Sequence, residues 1–272
     1  IDNPDDIGVD GRNQVQTLMF SDVAGFVGIS GQLNAEETVA LLNEYLGEMT
    51  AEITRADGIL DKYLGDGIMA FFGPPFTPGN HALAACRAAL KMDQRLGQLR
   101  EKWNGQGLPP IHARIGLATG EVIVGNIGSE QTRDYTCIGE TVNLASRLEG
   151  VNKYYGTSII IDAATRDLLG KHVAVRELDI IKVLGSDDPV RIYEVQSLMD
   201  DQTARQKELS EKFASALVDY RAGRFFEAER EFQELGGEPW NDAVSRIFLK
   251  RCMMYSMSAP KDWTGVYIMD KK

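Results

Sequence analysis

Cysteine and histidine are scarce in this chain: Cys86, Cys137 and Cys252 stand far apart, as do His81, His112 and His172. No two cysteines form a CxxC element, which excludes a disulfide framework and a thiolate zinc site and favours a reducing compartment. Long apolar runs are also missing. Nothing approaches the roughly 18 residues of a membrane span, and no signal peptide opens the sequence. Basic residues are outnumbered, 29 Lys and Arg against 40 Asp and Glu, for a formal charge of −11. General binding of nucleic acid or anionic lipid needs a basic face that displaces counterions, so both classes are excluded. Any phosphate handled here must be met by a few local cations and a metal. What the chain does have is the balance of a folded protein, 43% hydrophobic and 25% charged over 272 residues. That suits one sizeable domain with an appendage.

The sequence opens at Ile1 on the polar stretch Asp2-Asn3-Pro4-Asp5-Asp6. It is expected to be a piece of something longer, cytoplasmic itself, with membrane attachment only through an upstream segment. Residues 1–14 read as linker. Periodic structure is expected to begin with a buried strand at 15–20. Asn34 followed by Glu37 is the signature of a helix start, and Val39, Leu42, Tyr45, Leu46, Met49 and Ile53 form an apolar stripe that Gly58 ends. Strands at 59–63 and 68–72 are joined by the tight Gly65-Asp66-Gly67 turn. A second helix is expected over 80–103, strands over 111–118 and 121–125, and a helix over 141–152. A strand at 158–161, a short helix at 163–169 and a strand pair at 173–184 and 190–195 follow. Irregular alternation with hairpins predicts an α+β fold, a mixed sheet flanked by helices. After residue 198 the strand signals stop. Residues 198–272 read as three helices, and 216–228 resembles a tetratricopeptide hairpin with Gly223 at its turn. One such unit is too few to be stable alone, so it should pack on the main domain or a partner.

Three stretches carry chemistry. In Phe20-Ser21-Asp22-Val23-Ala24-Gly25-Phe26 an acidic residue ends a buried strand before a small-residue turn. That places a carboxylate for Mg²⁺ beside backbone amides that suit phosphate oxygens. Taken alone, Asp22 is more simply a cap. In Lys62-Tyr63-Leu64-Gly65-Asp66-Gly67 a second carboxylate tops a neighbouring hairpin. Two such groups can bridge a pair of metals about 3.5–4 Å apart, the arrangement of in-line phosphoryl transfer. Asp66 by itself would be a turn residue. In Tyr135-Thr136-Cys137-Ile138-Gly139-Glu140-Thr141-Val142-Asn143-Leu144-Ala145-Ser146-Arg147, Asn143 and Arg147 are four apart on a helix and can reach one phosphate or ribose together. An exposed polar face is the plainer reading of that helix in isolation.

Together and in this order, the three stretches resemble the catalytic domain of class III nucleotidyl cyclases. Gly116-Leu117-Ala118-Thr119-Gly120-Glu121-Val122 and Pro189-Val190-Arg191-Ile192-Tyr193-Glu194-Val195 match too, so the resemblance covers residues 15–195. The tail, ending Asp262-Trp263-Thr264-Gly265-Val266, is similar to one that follows the cyclase domain in bacterial membrane-bound adenylate cyclases with an extracytoplasmic sensor. The resemblance implies a ferredoxin-like cyclase fold, at 15–197, working as a head-to-tail homodimer with two active sites at the interface. It implies two Mg²⁺ (or Mn²⁺) per site, held by Asp22, Asp66 and the Val23 carbonyl. Lys62 matches the position that reads adenine N1, where guanylate enzymes usually carry glutamate. Thr136 matches the second purine-reading position and marks the subclass called IIIb, whose members are often stimulated by bicarbonate. Asn143 and Arg147 match the pair that orients the ribose and stabilises the pentavalent phosphorus, and Phe26 counts among the substrate-binding positions. The expected activity is conversion of ATP to 3′,5′-cyclic AMP and pyrophosphate.

One position departs from the pattern. The lysine that holds the terminal phosphates normally stands five residues before the Pro-Val of the last strand, where this chain has Leu184, followed by Gly185. Lys182 lies two residues earlier, about 6–7 Å back on the same strand face, as an imperfect substitute. The rival readings are a guanylate cyclase, against which Lys62 argues, and a cyclase-homology domain that binds nucleotide without turnover. A diguanylate cyclase is excluded because its Gly-Gly-(Asp/Glu)-Glu-Phe signature is absent.

Overall fold

The computed structural model describes residues 11–129, 131–182 and 188–269. In chain order the elements are β1 (Arg12–Val23), α1 (Phe26–Ser30), α2 (Ala35–Arg55), β2 (Ile59–Leu64), β3 (Gly67–Phe72) and α3 (His81–Gly105). Then come β4 (Ala113–Gly128), β5 (Arg133–Ile138), α4 (Glu140–Tyr155), β6 (Ile159–Asp162), α5 (Ala163–Leu168), β7 (Val173–Lys182) and β8 (Val190–Leu198). The tail supplies α6 (Ala204–Arg221), α7 (Phe225–Gly236), α8 (Ala243–Met257) and β9 (Tyr267–Ile268). One mixed sheet runs in the order β2-β3-β1-β4-β6-β8-β7-β9, with β5 paired to β4. The pairs β4–β6 and β7–β9 are parallel and the others antiparallel.

Both faces of the sheet are covered, and β3 shows why its sequence does not alternate in polarity. Ile68, Ala70 and Phe72 join the core beneath α2 and α3, while Met69 and Phe71 point to the opposite core beneath α4 and the tail. A strand buried on both sides must be apolar throughout. Helix α2 starts as expected: the Asn34 side chain accepts from the Glu37 amide and Glu37 accepts from the Asn34 amide, both at 2.9 Å. Its buried stripe is Leu41, Tyr45, Leu46, Met49 and Ile53, whereas Val39 is 56% exposed. Val39 lies about 200° from Leu41 round the helix, so both cannot face the core. The acidic face of α2 is tied to α3 through Glu48–Arg95 and Glu44–Lys102.

Several expected boundaries move. Strand β1 begins at Arg12, inside the stretch read as linker, because β4 is long enough to pair with it up to Val124. The expected strands at 111–118 and 121–125 are one continuous β4, laddered to β1 without a register shift. Gly120 there serves close approach to α4, since a Cβ would lie 2.6 Å from Thr141 Oγ1. Gly58 follows the end of α2, but the left-handed residue is Asp57 (φ 57°). Gly58 is required because a Cβ would meet the Phe72 ring at 2.4 Å.

The tail forms its three helices and packs on the main domain. It is not purely helical: β9 returns to the sheet beside β7, with the Met269 amide bonded to the Lys182 carbonyl at 3.1 Å. Phe213, Tyr220, Phe232 and Phe248 share one core with Tyr155, Leu178 and Ile192. Two buried arginines fasten the joint. Arg176 of β7 reaches Glu194 (2.8 Å) and Asp242 (2.9 Å), and Asp242 also caps α8 through the Ser245 amide. Arg251 of α8 reaches Asp179 (2.6 Å) and the Tyr155 hydroxyl (3.0 Å).

Candidate active site

The first cluster forms where β1 ends beside the β2–β3 turn. Leu64 pairs with Gly67, leaving Gly65 and Asp66 as a two-residue turn with Gly65 at φ 69°. The turn lies against β1 because Ser21 pairs with Ile68. The Asp66 carboxyl therefore faces the Val23 amide and the Asp22 carboxyl. Its pKa is raised by burial and by the Asp22 charge, while backbone amides oppose the rise. Sequence reasoning had not included Arg114. It stands opposite Asp22 in the β1–β4 register and pairs with it at 2.7 Å. Its Nε lies 2.9 Å from Glu149 Oε1, a charge contact without hydrogen-bond alignment. Glu149 comes this close because β4 carries Gly116 where α4 crosses: a Cβ there would sit 2.2 Å from the Glu149 nitrogen. Burial pushes the Glu149 carboxyl up to about 7, with Arg114 opposing and the Asp22 and Asp66 charges adding to the rise. Tyr45 of α2 closes the cluster from below, its hydroxyl 3.3 Å from Ser21 Oγ and its pKa pushed up to about 12, chiefly by burial.

Among the described residues no group of three or more His, Cys, Asp or Glu forms a metal centre. The donor set is instead a facing pair of carboxylates with backbone groups alongside. All-oxygen donors suit a hard cation such as Mg²⁺, and mutual repulsion between Asp22 and Asp66 is what a divalent ion relieves. The residues present fit the group.

A second cluster joins Lys62 to Thr136, which are 74 residues apart in sequence numbering but meet because the β4–β5 hairpin folds over β2 and β3. Tyr135 packs on Phe71 (6.1 Å between ring centroids) and on Phe76 (5.7 Å). Between Lys62 and Thr136 stands Asp61, again absent from the sequence reading. Thr136 Oγ1 donates to Asp61 Oδ2 at 2.5 Å, and Lys62 Nζ lies 3.2 Å from Asp61 Oδ1 and 3.6 Å from Asp134. Burial works to lower the Lys62 pKa, and the two aspartates outweigh it, leaving it raised. Simple alternation would send Asp61 and Lys62 to opposite faces. The register shift between Leu60 and Lys62 is a bulge that breaks the alternation and lets consecutive side chains pair.

The other expected residues stand on α4, α1 and β7. Asn143 is exposed and Arg147 half-buried, one turn apart on α4. Phe26 opens α1 and packs partly on the core beneath α2. Lys182 ends β7, four strands from β1, a lateral step of about 19 Å, and the strand registers set it toward the opposite end of the sheet from Asp22, so the two are remote from each other in the same protomer. Leu184 and Gly185 lie outside the described residues.

The family model for the adenylate and guanylate cyclase catalytic domain matches residues 10–197. Adenylate cyclase 1 of Rhizobium meliloti (strain 1021) is 37% identical over 182 residues, covering 67% of this chain and 27% of that protein. The chain thus spans about a quarter of that relative's length. The crystal structure of the adenylyl cyclase CyaB from P. aeruginosa is similar with a TM-score of 0.66 at 37% identity, covering 71% of this chain and 100% of that one. That of the guanylyl cyclase Cya2 gives 0.64 at 36% identity, covering 71% and 98%.

Proposed function

Because the chain belongs to the adenylate and guanylate cyclase catalytic domain family, we propose that it converts ATP to 3′,5′-cyclic AMP and pyrophosphate as a homodimer. The observation that carries the choice of ATP is the Lys62–Thr136 pair, which offers the purine a donor beside a hydroxyl. A guanylyl cyclase is nearly as similar in structure as an adenylyl cyclase, so overall likeness does not select the base.

In this reading the ribose 3′-oxygen attacks the α-phosphorus, the bond to pyrophosphate breaks in line, and the 3′-hydroxyl proton passes to water. Asp22, Asp66 and the Val23 carbonyl would hold two Mg²⁺ (or Mn²⁺), which would activate the hydroxyl and neutralise the leaving charge. Asn143 orients the ribose. Arg147 offers its guanidinium to phosphoryl oxygens whose charge builds only in the transition state, which lowers the barrier. Lys182 takes the terminal phosphates and Phe26 lines the substrate. The separation of Lys182 from Asp22 within one chain suits a site whose metal-holding residues come from one protomer and whose remaining residues come from its partner. Tyr63, Leu64, Ile123 and Ile138, exposed on the hairpins that carry the base-reading pair, give a second copy an apolar surface to cover. Among the described residues no helix is long and apolar enough to cross a membrane. Thr136 further suggests bicarbonate as an activator, which activity at fixed pH with and without bicarbonate tests.

The main test mixes two inactive variants, Asp22→Ala and Arg147→Ala. Heterodimers carry one intact site and should regain partial activity; no recovery refutes the shared site. Faster turnover of GTP than ATP would replace the adenylate reading. ATP binding without any cyclic product in Mn²⁺ would establish a non-catalytic domain.

A further inference from the structure

Asp61 occupies a position that neither metal binding nor phosphoryl transfer uses. Its side chain is 0% exposed, yet it carries a carboxylate beside the surface that would meet the base. The cost of burying that charge is offset by two partners: the Lys62 ammonium at 3.2 Å and the Thr136 hydroxyl at 2.5 Å. Both partners are the proposed readers of the purine.

The direction of the second bond matters more than its strength. A hydroxyl has one proton and two lone pairs, so an unconstrained threonine can donate to one ligand and accept from another. A carboxylate paired with an ammonium only accepts. With its single proton committed to Asp61, Thr136 has only lone pairs to offer. Adenine presents an amino group at C6 and an acceptor at N1. Guanine presents a carbonyl at C6 and an N–H at N1. A lone-pair acceptor at Thr136 beside a cationic donor at Lys62 therefore complements adenine at both positions and opposes guanine at both. Lys62 does not depend on Asp61 alone, since Asp134 also pairs with it at 3.6 Å. Thr136 is the partner whose hydrogen-bonding sense Asp61 decides.

We propose that Asp61 is a positioning residue for base selection: it fixes Thr136 as an acceptor and thereby makes the site read the 6-amino group of the nucleotide. The inference rests on the adenylate cyclase reading and deepens it. The bulge in β2 is the structural device that makes it available, because it alone lets Asp61 share a side of the hairpin with Lys62.

The test measures kcat/KM of the full chain for ATP and for purine riboside triphosphate, which keeps N1 but lacks any substituent at C6. Their ratio reads the 6-position and leaves the Lys62 contact common to both. The wild type should prefer ATP by about tenfold, the size of one hydrogen bond. Asp61→Ala should bring the ratio close to one and raise relative turnover of GTP. Thr136→Val should do the same, and the double variant should go no further. A ratio taken within one preparation is unaffected by the fraction folded, and the nearly isosteric Asp61→Asn provides a second variant, also expected to lower it. Retention of the wild-type ratio by Asp61→Ala or Asp61→Asn, with only the overall rate reduced, overturns the proposal and leaves Asp61 a structural residue. Wild-type turnover of ATP without preference over the 6-unsubstituted analogue overturns it with no variant needed. Absence of any cyclic nucleotide from the wild type refutes instead the cyclase reading beneath it.

Discussion

Replacement of Arg251 by methionine measures how firmly the tail belongs to the fold. The guanidinium is enclosed, with a side chain 4% exposed, and Asp179 opposite is 0% exposed at 2.6 Å. The ring of Tyr267, in the strand that the tail adds to the sheet, lies 3.4 Å from the guanidinium carbon. Methionine keeps the volume and removes the charge. The Asp179 carboxylate is then left with the Tyr155 hydroxyl (2.6 Å) and the Ile180 amide (2.8 Å). Breaking one side of a buried pair costs about 3–5 kcal/mol, and two surviving donors place this case toward the lower end. For a domain near this size that corresponds to a fall in Tm of roughly 6–12 °C. Urea and thermal denaturation followed by circular dichroism read it directly. The double variant Arg251→Met/Asp179→Asn removes both charges and should recover most of the loss. A single variant within about 1 kcal/mol of wild type, or a double variant less stable than the single, would refute the argument that this pair holds tail and sheet together.

Two further outcomes follow from the site. Gly116→Ala places a methyl 2.2 Å from the backbone nitrogen of Glu149, so α4 must move away from β4. A loss of about 1–3 kcal/mol, with activity falling further because Asn143 and Arg147 ride on that helix, is expected; an unchanged melting curve would show that α4 does not pack there. Glu149 is expected to make stability depend on pH in chelator-treated protein. Its carboxyl titrates at about 7 when folded against an ordinary 4.5, so the folded state holds the proton more tightly. The stabilisation is complete below 4.5 and is lost as pH rises from there to about 7. The stability difference between wild type and Glu149→Gln should therefore decline across that window, and a flat difference would contradict the assignment.

Much of the fold could be read from the chain because its causes are local. The Asn34 and Glu37 cap lies within one turn, and the apolar period of α2 needs only its own residues, although choosing Val39 over Leu41 shows that the phase of a stripe is harder to place than its presence. The Asp66 turn was legible from its glycines. Gly58 is legible as a helix terminus, its amide bonding to the Ile53 carbonyl at 3.0 Å, but the ring that excludes a side chain there comes from Phe72, 14 positions on.

By itself the sequence determined the order of the motifs, the α+β class and which side chains are candidates for metal, base and phosphate, because each signal is a residue type at short spacing. Tertiary structure decided what those side chains meet. Arg114 reaches Asp22 only through strand register, Asp61 joins Lys62 to Thr136 only through a bulge and a folded-back hairpin, and the tail meets the sheet through pairs such as Arg251 with the buried Asp179 carboxylate on β7 and Arg176 with Asp242. Each of these depends on a contact across tens of residues, and periodicity along the chain carries no information about register between strands.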